Sequence, residues 1–196
     1  MTVLIIGLLA FLGAHSVRIF AEEWRLRCIE NWGPGRWKGA YSLLSIIGFS
    51  LLVVGFEQAR TPVHVVWEPP LWTWHITVFL NLLASILMTA AYVPQNAIKL
   101  ALKDPMILAV KTWALAHLVS NGTLAGIILF GSFLVWAVLD FRACRKRRAL
   151  LGAVPNSQVS VQKTVFTVAI GAGAWLLIAG YAHRVIVGVS PLALFS

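Results

Sequence analysis

Long apolar runs separated by short charged segments set the rhythm of this chain. A helix crossing the ~30 Å hydrocarbon core of a bilayer needs ~20 mostly apolar residues. Stretches 2–20, 40–56, 71–93, 123–141 and 164–182 meet or approach that length. A sixth, 106–119, is short, because its 14 residues rise only about 21 Å as a helix. The pattern predicts an all-α fold, a polytopic integral membrane helical bundle of about six transmembrane helices with the fourth one short. Residues 21–38 interrupt the rhythm. They are charged but carry Trp24, Cys28 and Trp32 at i, i+4 and i+8, the spacing of one helical face. That spacing predicts an interfacial helix with its tryptophans at headgroup level. Farther on, the segment from Pro62 to Pro70 ends in Trp67-Glu68-Pro69-Pro70, a stiff turn, after which Trp72 and Trp74 open the third span as an aromatic belt. No internal repeat or low-complexity tract divides the chain, so 1–196 reads as a single domain.

Composition supports the same class. Of the 196 residues, 59% are hydrophobic and only 12% charged, with a mean hydropathy of +0.82. A single water-soluble core of this size could not hide so much apolar surface, and disordered chains are poor in apolar residues. The 2–20 stretch lacks a basic leading segment and a small-x-small cleavage site, so it reads as a first span and not as a cleaved signal.

Charge orients the bundle. Lys and Arg number 16 against 7 Asp and Glu. The first inter-span loop holds Arg18, Arg25, Arg27, Arg36 and Lys38, and the third holds Lys99 and Lys103, with Lys111 close enough to snorkel back. The fifth holds Arg142, Arg145, Lys146, Arg147, Arg148 and Lys163, leaving only Arg60 and Arg184 for the other side. The basic loops are therefore expected in the cytoplasm and both termini outside. Nucleic acid is not an expected partner, because no aromatic–basic groove or finger spacing accompanies the charge. The expected partners are the lipid bilayer and a lipophilic small molecule. Cys28 and Cys144 form no metal-ligand motif and fall on loops assigned to the reducing cytoplasm, so no disulfide is expected.

Candidate chemistry lies with polar residues inside apolar spans, where such groups are costly and face the bundle interior. They are His15, Asn81, Lys111, His117 and His183, with His75 at a membrane edge and His64 in a solvated loop. Asn81 with Ser85 reads as interhelical hydrogen bonding. His15 and His117 each admit two readings: a packing or interfacial histidine, or a metal ligand. No His-x-x-x-His pair, Cys-x-x-Cys or intra-span carboxylate completes a zinc site, and no Gly-x-Ser-x-Gly elbow or phosphate loop is present. Two distant neutral imidazoles in an apolar bundle suit the axial positions of a haem iron, a reading the residues allow without requiring it.

The chain resembles the NnrU family of bacterial membrane proteins over nearly its whole length. The resemblance rests on Gly13-Ala14-His15-Ser16-Val17-Arg18, Trp37-Lys38-Gly39-Ala40-Tyr41-Ser42-Leu43, Trp67-Glu68-Pro69-Pro70 and Lys111-Thr112-Trp113-Ala114-Leu115-Ala116-His117-Leu118. It continues through Asn121-Gly122, Trp136-Ala137-Val138-Leu139-Asp140, and His183 before Val187-Gly188-Val189. The family is linked to denitrification and is related to 15-cis-ζ-carotene isomerase, a membrane enzyme containing haem b. The resemblance implies haem b as cofactor in the bacterial inner membrane. It implies His15 and His117 as the metal ligands and His183 as a residue orienting a propionate or substrate. One departure stands out: relatives carry Arg-His-Pro where this chain has Lys103-Asp104-Pro105. A carboxylate there cannot serve as a neutral imidazole does, which weakens isomerase chemistry more than haem binding.

Three functions remain in competition at this level. The first is a haem-b protein with a redox-linked or accessory role related to nitrite and nitric oxide respiration. The second is a haem-dependent cis-trans isomerase of a lipophilic polyene, and the third a non-catalytic assembly or regulatory factor. A shared site for His15 and His117 requires the fourth span to end near the midplane, since the charge rule places the two histidines towards opposite faces.

Overall fold

The computed structural model describes residues 1–151 and 158–192, and its regular structure is helical. In chain order the elements are α1 (Thr2–Phe20), α2 (Glu22–Trp32), α3 (Pro34–Ala59), α4 (Trp72–Tyr92), α5 (Ala97–Leu102), α6 (Pro105–Ser120), α7 (Leu124–Leu151) and α8 (Val161–Leu177). A π-helical turn, Ile178–Ala182, carries α8 into α9 (His183–Val187). Five helices are long and apolar enough to cross a membrane, and α6 is a shorter apolar helix. The chain is an all-helical, multi-pass membrane protein.

Several boundaries differ from the sequence expectation for definable reasons. The interfacial helix stops at Trp32 and not at residue 38. Gly33 adopts φ 82 and Pro34 occupies the first turn of α3, a glycine stop followed by a proline start. Arg36 and Lys38 therefore ride on α3. Trp37, in the first turns of α3, packs edge-on against Trp24 at 5.7 Å and lies tilted against Trp32 at 6.3 Å, while Cys28 is buried. The α7 helix runs on past residue 141, so Arg142 to Arg148 are helical and not a loop. Arginine and lysine are good helix formers, and only hydropathy ends at Phe141. Cys28 and Cys144, read as loop residues, both stand in helices. The fourth span has 16 residues, about 24 Å, and is short as expected. A further short helix, α5, is set by Asn96, which is fully buried and accepts from the Lys99 backbone N–H at 2.8 Å.

The chain divides into two compact units, Met1–Glu68 with Gly122–Ala143, and Pro69–Asn121 with Cys144–Ser196. In the first, α1 and α3 lie against each other through glycine. A Cβ at Gly7 would come within 2.7 Å of the Leu52 nitrogen, and one at Gly48 within 2.7 Å of the Phe11 nitrogen. Small residues allow such close backbone approach where lipid supplies no hydrophobic drive. Leu4, Leu8, Leu52 and Ala59 form the buried centre with Ala125 of α7. The segment before Pro69 is held to the start of α7: Val66 and Trp67 N–H groups donate to the Gly122 carbonyl, and Leu124 N–H donates to the His64 carbonyl.

In the second unit α4 packs between α6 and α8. Thr77 Oγ1 donates to the Ala116 carbonyl at 2.8 Å, and Ser85 Oγ donates to the Gly171 carbonyl at 2.8 Å. Ser85 thus bonds between helices as expected. Asn81 instead donates to Thr77 of its own helix. Trp74, read as part of an aromatic belt, donates its Nε1–H to the Pro191 carbonyl and ties down the C-terminal segment.

Candidate functional site

His15 lies on α1 in the first unit, one turn beyond Phe11. Its Nδ1–H donates to the Phe11 carbonyl at 2.7 Å. A carbonyl can only accept, so this bond fixes the proton on Nδ1 and leaves the Nε2 lone pair uncommitted, the tautomer that a metal-ligating histidine requires. Aromatic rings from α1, α3 and α7 lie around the imidazole. Phe11 lies 4.3 Å away, Tyr41 of α3 5.3 Å, and Trp136 of α7 6.0 Å at an interplanar angle of 87°. The buried Trp136 Nε1–H of this unit has no hydrogen-bond partner among the described residues. An open, largely apolar groove of about 480 Å³ runs along α1 and α7, lined by Leu12, Ser16, Gly131, Ser132 and Trp136 among others.

His117 and His183 belong to the second unit. His117 stands in the last turn of α6, and its Nδ1–H donates to the Trp113 carbonyl at 2.8 Å while the Trp113 ring lies 5.1 Å away. That bond places its proton on Nδ1, as in His15. His183 opens α9 directly after the π-helical turn, and its Nδ1–H donates to the Val189 carbonyl at 2.7 Å. His183 is within electrostatic reach of His117. Single π turns inside α-helices occur often at functional sites. His64 and His75 are exposed. Lys111 is half-buried on α6.

The three candidate histidines thus share one preparation, a backbone carbonyl on Nδ1, although sequence spacing alone did not show it. In His15 and His117 the carbonyl belongs to the residue four positions earlier, so the bond follows from the helix itself. The ring cluster around His15 was also missed. Tyr41 and Trp136 both occur in the motifs that carry the resemblance, but contact between α1, α3 and α7 is what brings them to His15. Among the described residues no group of three or more His, Cys, Asp or Glu side chains comes together, so no protein cage of the zinc type is assembled there.

A family model for the NnrU protein matches residues 3–191. The chain belongs to the NnrU family. No curated protein and no solved structure matches it. The NnrU match covers all three candidate histidines and both units, so the family pattern spans the whole described architecture.

Proposed function

We propose that this NnrU-family chain binds haem b and serves as a redox-linked or accessory component of nitrite and nitric oxide respiration in the bacterial inner membrane. The observation that carries the reading is the state of His15 and His117. Each sits in an apolar helix with its proton held on Nδ1, the tautomer whose neutral Nε2 haem iron takes. The donor chemistry of each histidine therefore fits the group. Bound haem b supplies an iron-centred one-electron couple. The chain's own residues do the rest. The Phe11 and Trp113 carbonyls fix ring orientation and donor strength, and the aromatic box of Phe11, Tyr41 and Trp136 keeps water from His15. The buried N–H of Trp136 is a donor for which the described residues supply no acceptor, and a bound group carrying carboxylates would satisfy it. His183 completes the set as a positioning residue beside His117. On this reading the basic segments face the cytoplasm and both termini lie outside, an orientation that the distribution of Lys and Arg supports.

The test is haem content. The protein, expressed with a haem precursor and purified in mild detergent, is assayed as the pyridine haemochromogen. The reading expects close to one haem b per chain. Less than a tenth of that, from cells that load a control haem protein fully, overturns it.

A further inference from the structure

The Lys103-Asp104-Pro105 turn and the end of α7 belong to the same unit, and neither is used by the histidine reading. At 28 residues, α7 is about 42 Å long, roughly 12 Å more than the hydrocarbon core. Its C-terminal turns therefore stand at the level of the headgroups. Arg148 of the α7 extension forms a long-range ion pair with Asp104. Asp104 precedes α6 as its N-cap residue yet makes no side-chain capping bond. Its carboxylate turns to Arg148, and Lys103, beside it in a positive-φ conformation (67°), is exposed.

That pairing brings Lys103, next to Asp104, to the face of α7 on which Arg145 and Arg148 stand one turn apart. Arg145, Lys146, Arg147 and Arg148 lie on the extension and Lys103 on the turn, with Asp104 the acidic member of the ion pair that joins them. Arg147 is directed to Cys144 Sγ at 2.9 Å and Arg148 to Asp104, whereas Arg145, Lys146 and Lys103 are exposed. Exposed leucines accompany the cations on both elements, Leu102 at 42% and Leu150 at 79%. Cations alone would suit any phosphate. Cations beside exposed leucines at the depth of the headgroups suit a phosphate that carries acyl chains.

We infer that the Lys103–Asp104 turn and the α7 extension together form a binding site for the phosphate of an anionic phospholipid, with Lys103 and Arg145 as its cations. The Asp104–Arg148 pair is the clamp that shapes the site. An anionic lipid gains on the order of 1 kcal/mol per basic residue near the surface, so each cation removed weakens binding about fivefold. The carboxylate gives the site its distinguishing property. If charge alone attracted lipid, removing Asp104 would strengthen the attraction. If the clamp builds the site, removing Asp104 weakens it.

The experiment is a titration of the delipidated, detergent-solubilised full chain with phosphatidylglycerol, phosphatidylcholine or inorganic phosphate, followed by native mass spectrometry. Phosphatidylglycerol is expected to bind near one per chain and at least tenfold more tightly than phosphatidylcholine, and millimolar phosphate is expected not to displace it. Lys103→Gln and Arg145→Gln each weaken it about fivefold, Asp104→Asn weakens it too, and Lys38→Gln on α3 leaves it unchanged. Equal binding of the two lipids overturns the inference, as does displacement by phosphate, tighter binding by Asp104→Asn, or an equal loss in Lys38→Gln. Helical circular dichroism of each variant separates a lost site from a lost fold.

Discussion

Replacing Gly48 by alanine is expected to loosen the α1–α3 seam, while the same change at Gly131 is expected to do no harm. At Gly48 a Cβ would lie 2.7 Å from the Phe11 nitrogen and 3.0 Å from its Cα. Both are backbone atoms of the facing helix, so no side chain can swing away. Restoring an ordinary contact near 3.4 Å requires the helices to part by about 0.7 Å. A gap of 0.5–1 Å forfeits roughly a quarter to a half of each dispersion contact across it, and overpacking of this kind typically costs about 1–3 kcal/mol. Inside a bilayer that loss is not offset, because packing and not water exclusion holds the helices together. At Gly131, on α7, a Cβ would meet nothing within 4 Å. There alanine brings only its better helix propensity, up to about 1 kcal/mol. The two variants, purified in the same detergent, would be compared by equilibrium unfolding in dodecyl sulfate with helical circular dichroism as signal. Gly48→Ala should fall about 2 kcal/mol below wild type and Gly131→Ala should match or exceed it. Equal stabilities within about 0.5 kcal/mol would show that the close approach of α1 and α3 contributes nothing, and the reasoning would fail.

Other expectations follow from single contacts. At Gly122 the Trp67 carbonyl oxygen occupies the space a Cβ would take. Gly122→Ala should therefore detach the segment before Pro69, read as faster proteolysis between Pro62 and Pro69; wild-type protection would contradict this. Ser85→Ala removes the Ser85–Gly171 hydrogen bond between α4 and α8, and membrane hydrogen bonds average about 0.6 kcal/mol. A loss above about 2 kcal/mol in dodecyl sulfate unfolding would mean Ser85 does more than bond that carbonyl. Trp74→Phe keeps the aromatic ring but deletes the donor to Pro191, so amide exchange of residues 189–192 should quicken while the α4 core stays protected.

The long apolar helices were legible because their chemistry changes abruptly at both ends. The first runs from Thr2 to Phe20 as the pattern required, since Glu22 and Glu23 follow at once. The shortness of α6 was legible too, bounded by Pro105 and by Ser120-Asn121-Gly122. The break at Gly33-Pro34 was present as a stop–start signal, but the Trp24, Cys28, Trp32 periodicity reads smoothly across it. The extension of α7 was hidden because hydropathy marks where apolar residues end, not where a helix ends. The π turn before His183 leaves no periodic trace. The histidines were visible as costly polar residues in apolar spans, whereas their Nδ1 partners appear only once helix geometry supplies the carbonyls. Long-range pairings such as Asp104 with Arg148 and Trp74 with Pro191 depend on packing that no local pattern encodes.

The most direct measurement is the absorption spectrum of the detergent-purified protein, oxidised and then dithionite-reduced, beside His15→Ala and His117→Ala. The account predicts a Soret band in wild type with sharp reduced α and β bands, lost or converted to a high-spin form in both variants. A colourless wild type, or a spectrum that both substitutions leave untouched, would contradict it and return these histidines to helix packing.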